Sequence, residues 1–392
     1  MSRQISLFAD ARPARPVRAS RSYARRAACL LLGLLTGLAG GTALAGSAGT
    51  GLAGTGAAET PPVLQVYAEM EPGPGNITLT PQGAVISSLH QFYAPEQRVV
   101  RVHPGGRIEP YAQAAKLDSV LGLQSDARGM VWLLDNAMRG AGARRLVGWD
   151  HDAGRVLADI PLGGASPAGA FLNDLAVDAQ AGYAYIADPA GGADAALIVV
   201  DLRRGTARRV LQGHHSVVPE DIDLVIDGTP VRIRQPDGSL QRPRVGVNPI
   251  ALDAAREWLY FGPMHGRSLY RIRAADLRNA DLAPAALAER VERYSDKPIC
   301  DGIAIDRAGN IYLGDLARNA IGVISPQREY RVWVRDPLLS WVDAFAYGPD
   351  GYLYLVANQL HRSAALNGGT SALQPPLRLL RLRPLAPGVV GR

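Results

Sequence analysis

One pattern recurs six times along the chain, and it limits the possible folds more than any other feature. Its cleanest copy is CDGIAIDRAGNIYLGDL, from Cys300 to Leu316. The copy opens with alternation, Ile303 and Ile305 on one side and the small Gly302 and Ala304 on the other, which is the period of two of a strand. A turn follows at Asp306, Ala308 and Gly309, and Asn310 to Leu313 begins a second strand. Aligned on the position of Asp306, the other copies are GNITLTPQGAVISSL from Gly75, LGLQSDARGMVWLLD from Leu121, NDLAVDAQAGYAYIAD from Asn173, NPIALDAAREWLYFGP from Asn248 and DAFAYGPDGYLYLVA from Asp343. Two residues before the anchor stand Thr78, Gln124, Ala176, Ala251, Ala304 and Ala346, so neighbouring backbones approach closely at that register.

A strand pair repeated at intervals of roughly 40 to 75 residues fits a β-propeller with four-stranded blades. The fold class is therefore all-β, a six-bladed β-propeller around a central channel. Further strand-like runs, such as Ala196 to Leu202 and Ser268 to Arg273, supply outer strands. Val63 to Ala68 and Leu377 to Arg383 are the pieces that close the ring from both ends of the chain. The widest gap between copies holds His214 to Val247, with a hairpin-like stretch from Val231 to Leu240, and predicts a projecting loop. Ala283 to Tyr294 is the one good helix candidate. The 43 Gly and 28 Pro agree with a chain of many turns.

The formal charge of +6 suggests a nucleic-acid partner until it is located. Residues 1–45 carry seven arginines against the single acid Asp10, which accounts for all of it. A neutral body argues against a nucleic-acid footprint. The basic lead runs into the apolar stretch Ala27 to Leu38 and then Thr42-Ala43-Leu44-Ala45, an Ala-x-Ala cleavage pattern. The expected organisation is a signal peptide over 1–45, a Gly/Ala linker over 46–61, the propeller over 62–385 and a tail over 386–392. The protein is then secreted or periplasmic, with no membrane span after cleavage and a monomeric state. Arg25-Arg26 also suits a twin-arginine exporter. Cys29 leaves with the signal, so Cys300 cannot form a disulfide within the mature chain and reads as a buried small residue.

Five residues before the anchor, where each innermost strand begins, stand Gly75, Leu121, Asn173, Asn248, Asp301 and Asp343. Four of these bear side-chain oxygens, and a ring of blades brings them to one mouth of the channel. Asn173, Asn248, Asp301 and Asp343 are therefore the candidate ligand-binding residues. Such convergence suits polar recognition of a small molecule or a hard cation such as Ca²⁺. Asn and Asp also cap strand starts in any propeller. His214-His215 and His265 are further candidates to face a ligand, whereas Trp132, Trp258, Trp333 and Trp341 read as core. No G-x-S-x-G, Walker A, HExxH or Cys-x-x-Cys motif is present.

The segments NDLAVDAQAGYAYIADP, ALIVVDLRRGTARRVLQGHHSVVPE, NPIALDAAREWLYFGPMHGRSLYRI, CDGIAIDRAGNIYLGDLARNAIGVIS and WVDAFAYGPDGYLYLVANQLHR resemble the major royal jelly protein and yellow family in its bacterial branch. The resemblance covers roughly residues 62 to 363. It implies a secreted six-bladed propeller; some insect members bind small amines in the channel, and bacterial members are often described as dopachrome tautomerase-related. A more distant resemblance is to the gluconolactonase and senescence-marker propellers, which hold a divalent metal at the channel mouth and hydrolyse sugar lactones. Their Asn and Asp-Gly repeat openings are met by Asn173 and by Asp301-Gly302, which makes Asn173 and Asp301 the implied metal ligands and Asp301 the implied catalytic group. Their remaining ligands, a Glu and an Asn, correspond to Gly75 and Leu121, with Glu71 four residues upstream. The leading expectation is small-molecule binding in the channel. The alternatives are a metal-dependent lactonase or tautomerase-like isomerase, and a non-catalytic protein-docking propeller.

Overall fold

The structure is a computed structural model, and it describes residues 62–138, 140, 142–190 and 192–392. The expected signal peptide and linker, 1–45 and 46–61, lie outside the described residues. Six four-stranded antiparallel sheets are arranged as a six-bladed β-propeller. Their innermost strands are Pro74–Leu79, Val120–Ser125, Leu175–Asp178, Val247–Leu252, Ile303–Ile305 and Val342–Tyr347, one from each repeat.

The anchor side chain fixes most of these turns chemically. Asp306 Oδ1 accepts from the N–H groups of Ala308 and Asn310, both at 2.9 Å, and its Oδ2 accepts from Tyr312 at 2.9 Å. Asp126 Oδ1 accepts from Arg128 and Met130 in the same manner, and Asp253 Oδ1 from Glu257 and Trp258. Asp178 Oδ1 accepts from Ala181 N–H and Thr80 Oγ1 from Ala84 N–H, so the first five inner hairpins carry a register pin at the anchor, whereas the sixth has Gly348 there.

The ring closes through Gln65–Met70, which pairs antiparallel with Leu377–Leu382 as the outermost strand of the sixth blade. This strand pairing removes the free edges of an open array. An apolar cluster fills each junction between neighbouring blades; Cys300, fully buried, sits with Ile303, Ile305 and Tyr294 between blades four and five. Adjacent blades therefore share their cores.

The expected helix over 283–294 is corrected. Only Pro284–Ala288 is helical, a single turn begun by a proline suited to the first helical position. Glu292–Asp296 is the outer strand of blade four, because Tyr294 turns inward against Tyr260 while Glu292 pairs with Arg271. Sheet pairing outweighs the helical preference of the preceding alanines.

The insertion between blades three and four carries two short ribbons, Val225–Ile226 with Thr229–Pro230 and Ile233–Arg234 with Leu240–Gln241. It is tied to the loop after the last inner hairpin by Arg232 N–H to the Leu366 carbonyl at 3.1 Å and by Gly368 N–H to the Arg232 carbonyl at 2.8 Å. Leu224, Ile226 and Val231 pack there with Leu360, Leu366 and Trp341. This cap stands over one end of the channel.

At the other end, residues 386–392 run across the inner strands. Arg307 N–H donates to the Pro387 carbonyl at 2.9 Å, Gly391 N–H to the Tyr347 carbonyl at 2.9 Å, and Thr78 Oγ1 to the Gly391 carbonyl at 2.8 Å. The tail is bonded to blades five, six and one.

Candidate functional site

The inner strands do not run regularly to the channel mouth. The pairings are interrupted between Pro74 and Ile77, Val120 and Leu123, Val247 and Ile250, and Val342 and Phe345. Such an irregularity shifts the alternation of side chains beside Asn248 and Asp343, whereas Asn173 and Asp301 stand before their strands begin at Leu175 and Ile303. Glycines allow the neighbouring strands to meet there. Gly122 N–H donates to the Asn173 carbonyl at 2.8 Å, and Gly302 N–H to the Asp343 carbonyl at 2.7 Å. A Cβ on Gly302 would lie 2.3 Å from that carbonyl oxygen.

Asn173, Asn248, Asp301 and Asp343 all line one cleft of about 670 Å³ beneath the cap. Asn173 Nδ2 donates to Asn248 Oδ1, and Asn248 Nδ2 donates to Asp301 Oδ1. Asp301 Oδ2 accepts from the Trp341 indole at 2.8 Å. Asp343 Oδ2 accepts from Asn358 Nδ2 at 2.5 Å, and the same amide reaches the Pro74 carbonyl at 3.0 Å. The polar floor is thus one connected chain of amides and carboxyls plus a second carboxyl held from blade six.

Burial sets the electrostatics of this floor. It raises Asp301 to about 7, against the pull of its bonds from Trp341 and Asn248, and Asp174 adds repulsion. Burial, followed by the charge of Asp301, pushes Asp343 well above the usual carboxylate range. Asp174, deeper in the channel, is likewise raised to about 7 by burial, opposed by the Leu175 N–H and by Asn76, whose amide donates to it at 3.0 Å. Three carboxyls therefore share the channel. Among the described residues no Lys or Arg lines the cleft.

The walls are apolar and aromatic: Phe92, Phe171, Met264, Trp341, Leu360 and Leu366. Trp341, read from sequence as core, is buried but belongs to the site, with its ring stacked on His361 at a centroid distance of 5.9 Å. His265 lines the cleft, whereas His214 and His215 pack against each other with tilted rings, centroids 4.0 Å apart, and are not among its lining residues. Glu71 is exposed, so it does not stand in for the missing ligand at Gly75.

Sequence reasoning missed Asp174, His90 and Asn358. Asp174 had a usable signal, because it shares its repeat register with Asn76, four residues before the anchor, and the two are bonded across Gly122. His90 and Asn358 follow the second strands of their hairpins, outside the register that marked the others.

Ca²⁺ takes six to eight oxygens, several from carboxylates. Here Asp301 spends both oxygens on Asn248 and Trp341, and Asn173 is bound to Asn248. Among the described residues no group of three or more His, Cys, Asp and Glu side chains could hold a metal ion. The arrangement does not fit a cation cage, although Asn173 and Asp301 do reach the same mouth. Nor is any helix among those residues long and apolar enough to cross a membrane.

Comparison with known proteins places this geometry. The chain aligns with the luciferin-regenerating enzyme at a TM-score of 0.54 and 12% identity, covering 84% of this chain and 98% of that one. It aligns with the calcium-binding protein regucalcin from Agrobacterium tumefaciens at 0.52 and 13%, covering 83% and 99%, and with a gluconolactonase from Xanthomonas campestris at 0.51 and 13%, covering 82% and 89%. At these identities the likeness is one of fold. No curated protein sequence matches the chain. The profile named Major royal jelly protein matches residues 118–372, which span the second to the sixth inner hairpins. By that match, the chain belongs to the major royal jelly protein family.

Proposed function

We propose that this protein is an exported propeller that binds a small organic cation in the cleft at its channel mouth. The observation that carries the reading is a floor of carboxyls, Asp301 and Asp343, with no Lys or Arg among the described lining residues to neutralise them. An ammonium head would supply the missing charge, and burial would strengthen its attraction to the carboxylates. Phe92, Phe171 and Trp341 offer flat apolar surface to the rest of the molecule and, to a cation, favourable ring faces. Export is supported by the Arg-rich, apolar, Ala-x-Ala lead of the sequence.

The test is calorimetric titration with phenethylamine and with 3-phenylpropionate, which pair similar bodies with opposite charges. Binding of the amine alone, lost in Asp343→Asn, is the expected result; equal binding of both, or of neither, would sink the reading. Added Ca²⁺ forms a third arm. A thermal shift on Ca²⁺ that disappears in Asp301→Ala would favour the lactonase-like alternative instead.

A further inference from the structure

At the seam between blades three and four, Arg256, Arg273 and Arg278 line an open crevice with Asp178, Gln180 and Glu257. It shares no lining residue with the cleft at the channel mouth, and it lies on the tail side of the ring, where Arg392 Nη1 donates to the Asp253 carbonyl at 3.2 Å. Arg256 comes from the inner hairpin turn of blade four, Arg273 ends the strand Ser268–Arg273, and Arg278 ends the short helix Ala274–Arg278. The three guanidiniums are held from behind. Asp178, 2% exposed, faces Arg256 Nε with Oδ1 and Arg278 Nη1 with Oδ2, both at 3.5 Å. Arg256 also donates to Gln180 Oε1, and Arg278 to the Tyr185 hydroxyl at 3.4 Å. Arg273 lies over the Trp258 ring, 4.4 Å from its centroid, and among the described residues it has no carboxylate partner.

One buried carboxylate thus serves two guanidiniums while a third goes unpaired, so the crevice sets three positive charges against Asp178 and Glu257. The Arg256 and Arg278 side chains remain 33% and 27% exposed, which leaves N–H groups open to a ligand. Arg256 also stands where the fold otherwise uses glycine. Its φ is +61, and the positive-φ seat of the other five inner turns is filled by Gly83, Gly129, Gly182, Gly309 and Gly351. A side chain in that conformation is disfavoured, yet blade four places a guanidinium there. We propose that this crevice binds a tetrahedral oxyanion, the phosphoryl or sulfuryl group of a polar ligand. Guanidinium forks fixed by Asp178 can each give paired N–H bonds to such a group, and Arg273 adds a third cation. The site has the opposite charge preference to the mouth cleft and does not depend on the cation-binding reading.

The test titrates inorganic phosphate and, separately, sulfate into the full-length protein by calorimetry, near neutral pH and at constant ionic strength in chloride. Saturable binding is the expected result: phosphate alone assigns the site to phosphoryl groups, sulfate alone to sulfuryl groups, and both together to the charge and shape they share. Arg256→Gly removes one guanidinium and supplies the residue that the other five turns carry, so the fold should be kept while affinity falls about tenfold or more, the worth of a charge-assisted hydrogen bond. Glu257→Gln removes an opposing charge from the crevice and should tighten binding roughly two- to fivefold, the worth of an exposed charge pair. A damaged fold would not give that gain. Binding of neither anion by the parent overturns the inference, and so does an affinity left unchanged in either variant.

Discussion

The backbone N–H of Gly302 donates to the carbonyl of Asp343 at 2.7 Å, and this bond joins blade five to blade six at the floor of the cleft. It exists because residue 302 has no side chain: a Cβ there would stand 2.3 Å from that oxygen and 3.1 Å from the Ala344 Cα. Both obstacles are backbone, so the strands themselves would have to part. Gly302→Ala is expected to destabilise the protein by about 1–3 kcal/mol, the usual penalty of overpacking. Because Asp343 would be displaced with its strand, amine affinity should fall as well. Urea unfolding and calorimetric titration of the same variant check both effects, and an unchanged affinity would mean that the bond does not position Asp343.

The contrast between this bond and the inner hairpins explains how much was legible in the sequence. Each hairpin contains its own turn and alternating strand, with an aspartate at the anchor in four of the six, as at Asp306 with Ala308 and Asn310, so six blades could be counted from local chemistry. The ring then brought Asn173, Asn248, Asp301 and Asp343 together by symmetry of position. Their mutual bonding depends on bulges and interstrand approaches that period alone does not encode. Trp341 looks like core because it is buried, and only the neighbouring blade shows its indole aimed at Asp301. Likewise the cap residues Val245 and Leu366 come from insertions outside the repeat, and their meeting over the channel has no periodic signature.

The raised carboxyls make stability depend on pH in a defined direction. An unfolded aspartate titrates at about 4, whereas burial holds Asp301 and Asp174 at about 7. Between those values the unfolded chain has released protons that the folded protein retains. Stability should therefore fall as pH rises from about 4 to about 7 and level off above it. Asp301→Asn removes one of these protonation differences, so its slope should be shallower and its stability above pH 7 greater than the parent's. Urea midpoints at about pH 4.5, 6 and 8 measure this, and a variant with the parent's slope would show that Asp301 is not among the groups responsible.

Ligand affinity should follow the opposite trend. An ammonium is attracted to the ionised form of Asp301, and that form becomes dominant as pH passes its value near 7. Titrations with phenethylamine should give tighter binding on going from about pH 5.5 to 8, while the amine itself stays protonated, as amines of this kind do well above pH 8. The Trp341 indole bond at 2.8 Å favours the charged carboxylate. Trp341→Phe keeps an aromatic wall but removes that donor, so the midpoint of the affinity profile should move to higher pH. A midpoint that does not move would assign the profile to Asp343 or Asp174.

The tail across the far mouth gives the last prediction. Thr78 Oγ1 occupies a double position: it donates to the Gly391 carbonyl at 2.8 Å and accepts from the Ser125 N–H at 2.8 Å. Thr78 is fully buried, so neither partner can turn to water when the hydroxyl is lost. Thr78→Val retains shape and leaves a buried N–H and a carbonyl unsatisfied. The expected cost is about 1–3 kcal/mol per group left unpaired. Gly391 sits at φ +83, with the Ser125 and Leu79 carbonyl oxygens 2.8 and 3.0 Å from where a Cβ would be. A relaxed tail therefore has no equivalent seat for a larger residue, and Gly391→Ala should reproduce the effect of Thr78→Val. Hydrogen exchange separates tail release from global loosening. In both variants the Gly391 amide, bonded to the Tyr347 carbonyl, and the Tyr347 amide, bonded to the Arg392 carbonyl, should lose protection before the amides of the inner strands. Uniform loss across all blades would mean that the tail is part of the global folding unit instead of a separately closing strap.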